Sequence, residues 1–222
     1  MKLTTNTKKF AVILSGCGCM DGSEIHESVS MMYAIDKNGA SYQIFAPDME
    51  QHDVINHLTK QEVAGKRNCM EEAARIARGN VRPLQELHVE DFDALAFPGG
   101  FGAAKNLFTY AYEGENFRVR EDVADCIRAF HQAGKPIGAM CISPLMLAKV
   151  IKGASVTMGQ PCPASDLVGK LGGTAESRHN GEVAADAENR LFTVPCYMLD
   201  ARISDIFDDA FALIGRMMES LK

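Results

Sequence analysis

The chain has 222 residues, enough for one α/β domain with a sizeable core, and no internal repeat or low-complexity stretch divides it. Hydrophobic residues make up 46% and charged residues 23%, a balance that excludes a disordered chain. A net charge of -6 with no basic block excludes a nucleic-acid binder, and no run reaches the roughly 18 apolar residues that a membrane helix needs.

Residues 1–10 lack the apolar stretch of a secretory signal. The seven cysteines, at 17, 19, 69, 126, 141, 162 and 196, are odd in number and scattered. They form no disulfide framework, so free thiols in a reducing, cytoplasmic setting are expected. The run 10–14 is continuously apolar and stops at Ser15-Gly16, as in a strand buried on both faces. Ser23 is a candidate N-cap for a helix carrying Ile25, Val29, Met32 and Ile35, which Asn38-Gly39 closes. A second strand covers 42–46, residues 49–66 are polar and irregular, and a helix is expected over 68–78. The buried strand 93–97 ends at Pro98-Gly99-Gly100. Helical spacing over 117–131 leads through a Gly-Lys-Pro turn into the strand 137–140 and a helix over 143–150. Weaker strands are expected at 155–158 and 191–194, and a final amphipathic helix at 201–218.

Strands alternating with helices imply right-handed βαβ units and a mainly parallel sheet, formed by a single domain spanning 1–222. Ligands of such sheets bind beyond the carboxyl ends of the strands, which selects the turns 15–27, 98–102 and 138–143. In the last, Cys141 sits between a strand and a helix start, with the small residues Ala139 and Ser143 on either side and Pro144 at an early helical position. That placement marks Cys141 as a nucleophile whose thiol the helix N-terminus would acidify, with the Ile142 amide aimed at an oxyanion. The glycines of the second turn free backbone N–H groups for an anion, so Gly100 joins Ile142 as an oxyanion donor. The first turn offers two acids one helical turn apart, Glu24 and Glu27, either of which could exchange a proton with substrate.

These turns together resemble the PfpI-type branch of the class I glutamine-amidotransferase-like superfamily, and within it the ElbB family, described as glyoxalase-like and linked to isoprenoid biosynthesis. The resemblance rests on Ile13-Leu-Ser-Gly-Cys-Gly18, Asp21-Gly-Ser-Glu-Ile-His-Glu27, Asp53-Val-Ile-Asn-His-Leu-Thr59, Pro98-Gly-Gly-Phe-Gly-Ala-Ala-Lys-Asn-Leu107, Gly134-Lys-Pro136 and Met140-Cys-Ile-Ser-Pro144. It implies a flavodoxin-like three-layer sandwich, a homodimer, and a cysteine nucleophile bonded to a glutamate of the first helix. That acid falls on Glu27, with Glu24 second, and the oxyanion hole on Gly100 and Ile142. Ile142 follows the nucleophile where many superfamily proteases and amidotransferases carry His, and residues 194–199 contain none either. A Cys–His–Glu triad is therefore not expected, which weighs against proteolysis and glutamine hydrolysis.

The expected chemistry is addition of Cys141 to a small reactive aldehyde, glyoxal or methylglyoxal, and rearrangement to glycolate or lactate; early sugar adducts would be reversed by the same hemithioacetal. The competing class is a redox-sensing or chaperone-like protein that uses an oxidisable Cys141. No cofactor is expected: the third glycine of Gly16, Gly18 and Gly22 comes one residue late for a dinucleotide loop, and Asp21 would oppose a pyrophosphate. No metal is expected either, since Cys17 and Cys19 form C-x-C without a following ligand pair. Cys17 is a second-rank pocket residue. His26, His57, Arg67, Asn68 and Asn106 are read as surface or hydrogen-bonding residues, with His57 in a segment able to fold over the site.

Overall fold

The computed structural model describes residues 7–222; the residues before them, part of the stretch read for a secretory signal, lie outside the described residues. In chain order the strands are β1 (Lys9–Ile13), β2 (Ser41–Ala46), β3 (Ile55–Asn56), β4 (Gln61–Glu62), β5 (Val81–Pro83), β6 (Ala94–Phe97), β7 (Ile137–Met140), β8 (Ser155–Val156), β9 (Thr174–Ala175), β10 (Ala184–Asp186) and β11 (Leu191–Val194). The helices are α1 (Ile25–Lys37), α2 (Cys69–Ile76), α3 (Ala103–Asn106), α4 (Tyr110–Glu113), α5 (Glu121–Gln132), α6 (Pro144–Val150), α7 (Pro163–Lys170) and α8 (Ile203–Ser220).

The short apolar runs form the middle of one sheet because only a strand covered on both faces can bury every side chain. All residues of β6, β7 and β11 are buried, as are four of the five in β1. The sheet order is β10-β11-β7-β6-β1-β2-β5, parallel throughout except for β10, which runs antiparallel at one edge. Helices α1 and α8 pack on each other and α8 lies against β7 and β11, while α5 covers β6 and β7. Helices flank the sheet, giving the flavodoxin-like α/β sandwich. The order places β1, β6 and β7 side by side, so their three carboxyl-end turns meet.

Several local expectations are corrected. The N-cap of α1 is Glu24, whose carboxylate accepts the Glu27 amide at 2.7 Å. Ser23 instead spends its hydroxyl on the Ser15 amide, 2.8 Å away, tying the loop after β1 to the start of α1. Helix α5 begins at Glu121, because the backbone before it is held extended: Arg118 N donates to Thr109 Oγ1 at 2.8 Å and Phe108 pairs with Val119. The stretch 155–158 yields β8, which pairs with β9 outside the main sheet. The edge strands β5 and β10 and the helices α3, α4 and α7 had no counterpart among the expectations.

Candidate functional site

Cys141 has a φ of 60°, a left-handed conformation that costs a non-glycine residue about 1 kcal/mol or more. Its neighbours hold it there: Cys141 N donates to Val194 O at 3.1 Å, and Ser143 Oγ donates to Pro98 O at 2.8 Å. The turn is thus pinned both to β11 and to the glycine turn after β6. The sulfur-bearing residue is only 8% exposed, and that exposure opens onto a pocket of about 380 Å³.

Glu27 is fully buried. Its Oε2 accepts the Gly99 amide at 2.7 Å, while Oε1 has no partner of good hydrogen-bond geometry. The Cys141 thiol and the Tyr197 amide face the carboxyl closely enough to favour its charge. Gly99 is the wedge between acid and thiol. A Cβ there would sit 2.5 Å from Cys141 Cβ, 2.8 Å from Glu27 Oε2 and 2.9 Å from Met140 O. Gly100 has a φ of 103°, and a side chain on it would run into the Glu24 amide. Glycine at both positions lets the backbone approach to contact.

Burial, and then the neighbouring Glu24 charge, push the Glu27 carboxyl up to about 8. Burial also pushes the Cys141 thiol up, followed by the charge on Glu27, against the amides of Gly100 and Ile142, which donate toward the sulfur. This reverses the expectation of a thiol acidified by a helix N-terminus: desolvation outweighs the donors. Below a pH of about 8, however, Glu27 is neutral, its repulsion of a thiolate disappears, and its proton becomes available to the sulfur or to a substrate oxygen. Because Oε2 is occupied as an acceptor, the proton belongs on Oε1.

The structure therefore brings Cys141, Glu27, Gly100 and Ile142 together. Glu24 lines the same pocket but caps α1, with Oε1 3.9 Å from His26 Nδ1. His26 is turned to the Tyr197 hydroxyl at 2.7 Å. His57 does not cover the site: its Nε2 accepts the Met20 amide at 3.3 Å and lies 3.8 Å from Asp21 Oδ1, beside a different pocket that Cys17 and Arg67 also line. Cys19, not Cys17, reaches the Cys141 pocket. Asn106 is a buried clamp, its amide donating to Ser15 O at 3.0 Å and Asp21 O at 2.9 Å, and Asn68 caps α2. Within the loop 16–22, the Gly18 and Gly22 amides are spent internally, on Ser23 O at 2.8 Å and Gly18 O at 2.7 Å.

Sequence reading missed the outer wall. Phe101, Tyr110, Pro163, Tyr197 and Met198 line the pocket from segments far apart in the chain. Phe101 and Tyr197 had a legible signal, since each lies just beyond the carboxyl end of an expected strand. The turn bearing Tyr197 is set by Cys196, which has a φ of 46° and whose amide donates to the buried Asp209 Oδ2 at 2.8 Å.

A family model described as DJ-1/PfpI family matches residues 17–177. The chain is 39% identical to Glutamine amidotransferase-like class 1 domain-containing protein 3, mitochondrial, of Homo sapiens, over 95% of its own length and 82% of that protein. It is 40% identical to the ES1 protein homolog, mitochondrial, of Rattus norvegicus, over 95% of this chain and 83% of the relative. A crystal structure of an isoprenoid biosynthesis protein with an amidotransferase-like domain from Ehrlichia chaffeensis superposes with a TM-score of 0.88 at 36% identity, covering 96% of this chain and 99% of that one.

Proposed function

Because the chain belongs to the DJ-1/PfpI family, within the glutamine amidotransferase-like class I superfamily, we propose that it is a cysteine-dependent, glutathione-independent glyoxalase of the ElbB type. The observation that carries this reading is the Cys141 sulfur at a pocket floor, facing the raised, proton-bearing Glu27 carboxyl and two amide donors.

In its carboxylate form Glu27 takes the Cys141 thiol proton as the sulfur adds to the aldehyde carbon of a 2-oxoaldehyde, and passes it to the alkoxide, giving a hemithioacetal and the carboxylate again. The resulting Glu27 carboxylate removes the hydrogen from that carbon, and the Gly100 and Ile142 amides stabilise the enediolate oxygen. Glu27 returns the proton to the neighbouring carbon while the hydroxyl proton of the former aldehyde carbon moves to the neighbouring oxygen, leaving a 2-hydroxy thioester. Water then cleaves it, releasing glycolate or lactate and the free thiol. Early sugar adducts on an amine fit the same first step, so a deglycase activity falls within the proposal. Glu24 acts on Glu27 electrostatically and as the cap that fixes α1.

Absence of a His among the described pocket-lining residues supports this reading over proteolysis or glutamine hydrolysis through a Cys–His–Glu triad. A sensor requires an accessible thiolate at rest, and the burial of Cys141 disfavours one. The proposal extends to one domain acting as a homodimer, and to a reducing, cytoplasmic setting that suits seven free cysteines. Glyoxal or methylglyoxal incubated with the protein should yield many equivalents of 2-hydroxy acid per protomer. Cys141→Ala should reduce this to the uncatalysed rate, and turnover surviving in that variant would refute the proposal.

A further inference from the structure

The pocket is much larger and greasier than glyoxal or methylglyoxal requires. Its volume of about 380 Å³ lies in the range of sites that enclose drug-sized ligands, ~300–1,000 Å³. Beyond the Cys141 turn the wall is Phe101, Tyr110, Pro163 and Met198, with Tyr197 beside them. Phe101 is 51% exposed and lines the pocket that Cys141 also lines.

Charge points the same way. Among the described residues that line the pocket, none is Lys, Arg or His, and the one acid is Glu24. Lys105 lies 5.4 Å from the centre of the Phe101 ring but is paired with Asp53 at 2.5 Å. A carboxylate or phosphate on the substrate would lose water without meeting a counter-charge and would be repelled by Glu24. A hydrophobic tail would cover Phe101 and lose little.

We infer that the substrate class is a 2-oxoaldehyde with an aryl or bulky alkyl tail and no negative charge, whose tail lies against Phe101, Tyr110 and Met198. The inference rests on the glyoxalase reading for the reactive group, and on the pocket wall alone for the tail.

The test compares kcat/KM for methylglyoxal, phenylglyoxal and 4-carboxyphenylglyoxal. Phenylglyoxal should exceed its carboxylated counterpart by about tenfold or more, although the two aldehydes are chemically alike. It should also exceed methylglyoxal, and Phe101→Ala should bring the phenyl-to-methyl ratio toward one while Phe101→Tyr keeps it. Separately, alkylation of Cys141, followed by peptide mass mapping, should be faster with a neutral benzyl haloacetamide than with its carboxylated analogue. Turnover of all three aldehydes at similar efficiency would overturn the inference and leave the glyoxalase reading standing. No turnover of any aldehyde, with the alkylation order retained, would sink the glyoxalase reading and support the pocket's preference for a neutral apolar group. Loss of the alkylation order would overturn that preference.

Discussion

Inside the folded chain the Glu27 carboxyl holds its proton up to about pH 8, whereas an unfolded chain releases it near the ordinary value of 4.5. The folded state therefore binds more protons between these values, and this group's contribution to stability is present below about 4.5 and lost as the pH rises through about 8. We expect urea midpoints of the native protein to fall across that window, by on the order of a few kcal/mol in stability. Glu27→Gln should flatten the fall, because a neutral amide carries no such proton, and should also remove turnover. An unchanged slope in that variant would mean that Glu27 is charged at rest. Gly99→Ala tests the contact between acid and thiol. With a Cβ only 2.5 Å from that of Cys141, the turn must shift, so activity should drop by about 10²-fold or more while the far side of the sheet keeps its amide protection. Cys141 itself was legible as a strand-to-helix thiol; its raised pKa was not, because desolvation depends on atoms from α1, β11 and the glycine turn.

Helix α8 contributes to the site through one buried acid. Asp209 is completely buried and accepts hydrogen bonds from Cys196 N at 2.8 Å, Asn180 Nδ2 at 2.8 Å and the Gly181 amide. It thereby fixes the left-handed turn at Cys196, and that turn aims the Tyr197 amide at Glu27. Asp209→Ala should cost about 2 kcal/mol or more, since the buried Cys196 amide and two part-buried donors lose their acceptor, and chemical denaturation measures this directly. A loss below about 1 kcal/mol would show that the donors find water instead. The same helix-end logic explains why Ser23 was misplaced as a cap. Ser, Asp and Glu all occur at the approach to α1, and the choice fell on Glu24 only because Gly99 O receives the Glu24 amide at 3.0 Å and Ser23 is taken by Ser15.

Across the whole molecule, the outer face of α1 carries an unexpected apolar stripe. Ile25, Val29 and Tyr33 are 42%, 40% and 45% exposed, and Tyr33 meets Phe207 of α8 edge-on at 5.6 Å and Phe211 at a tilt at 6.4 Å. The helical spacing of Ile25 and Val29 was read correctly, but the inward face is Glu27, Ser28, Met31, Ala34 and Ile35. A contiguous exposed stripe of this kind suits a second copy of the chain, and it is where the proposed homodimer would form. Light scattering should give twice the 24.2 kDa chain mass for the native protein and a single chain mass for Val29→Glu/Phe211→Glu. A native monomer would remove the homodimer from the proposal.

The alternation of apolar runs with glycine-ended helices was sufficient for a mainly parallel α/β sheet with its candidate site at the carboxyl edge, because burial on both faces and turn geometry are local constraints. The same local rules singled out Cys141, Gly100 and Ile142 and left Glu24 and Glu27 as two candidate acids, and only the family resemblance put Glu27 first. The apolar wall, the direction of both pKa shifts and the roles of Asp209 and Asn106 depend on which segments the strand order brings together. Desolvation and contact are sums over neighbours distant in the chain, so folding had to supply them.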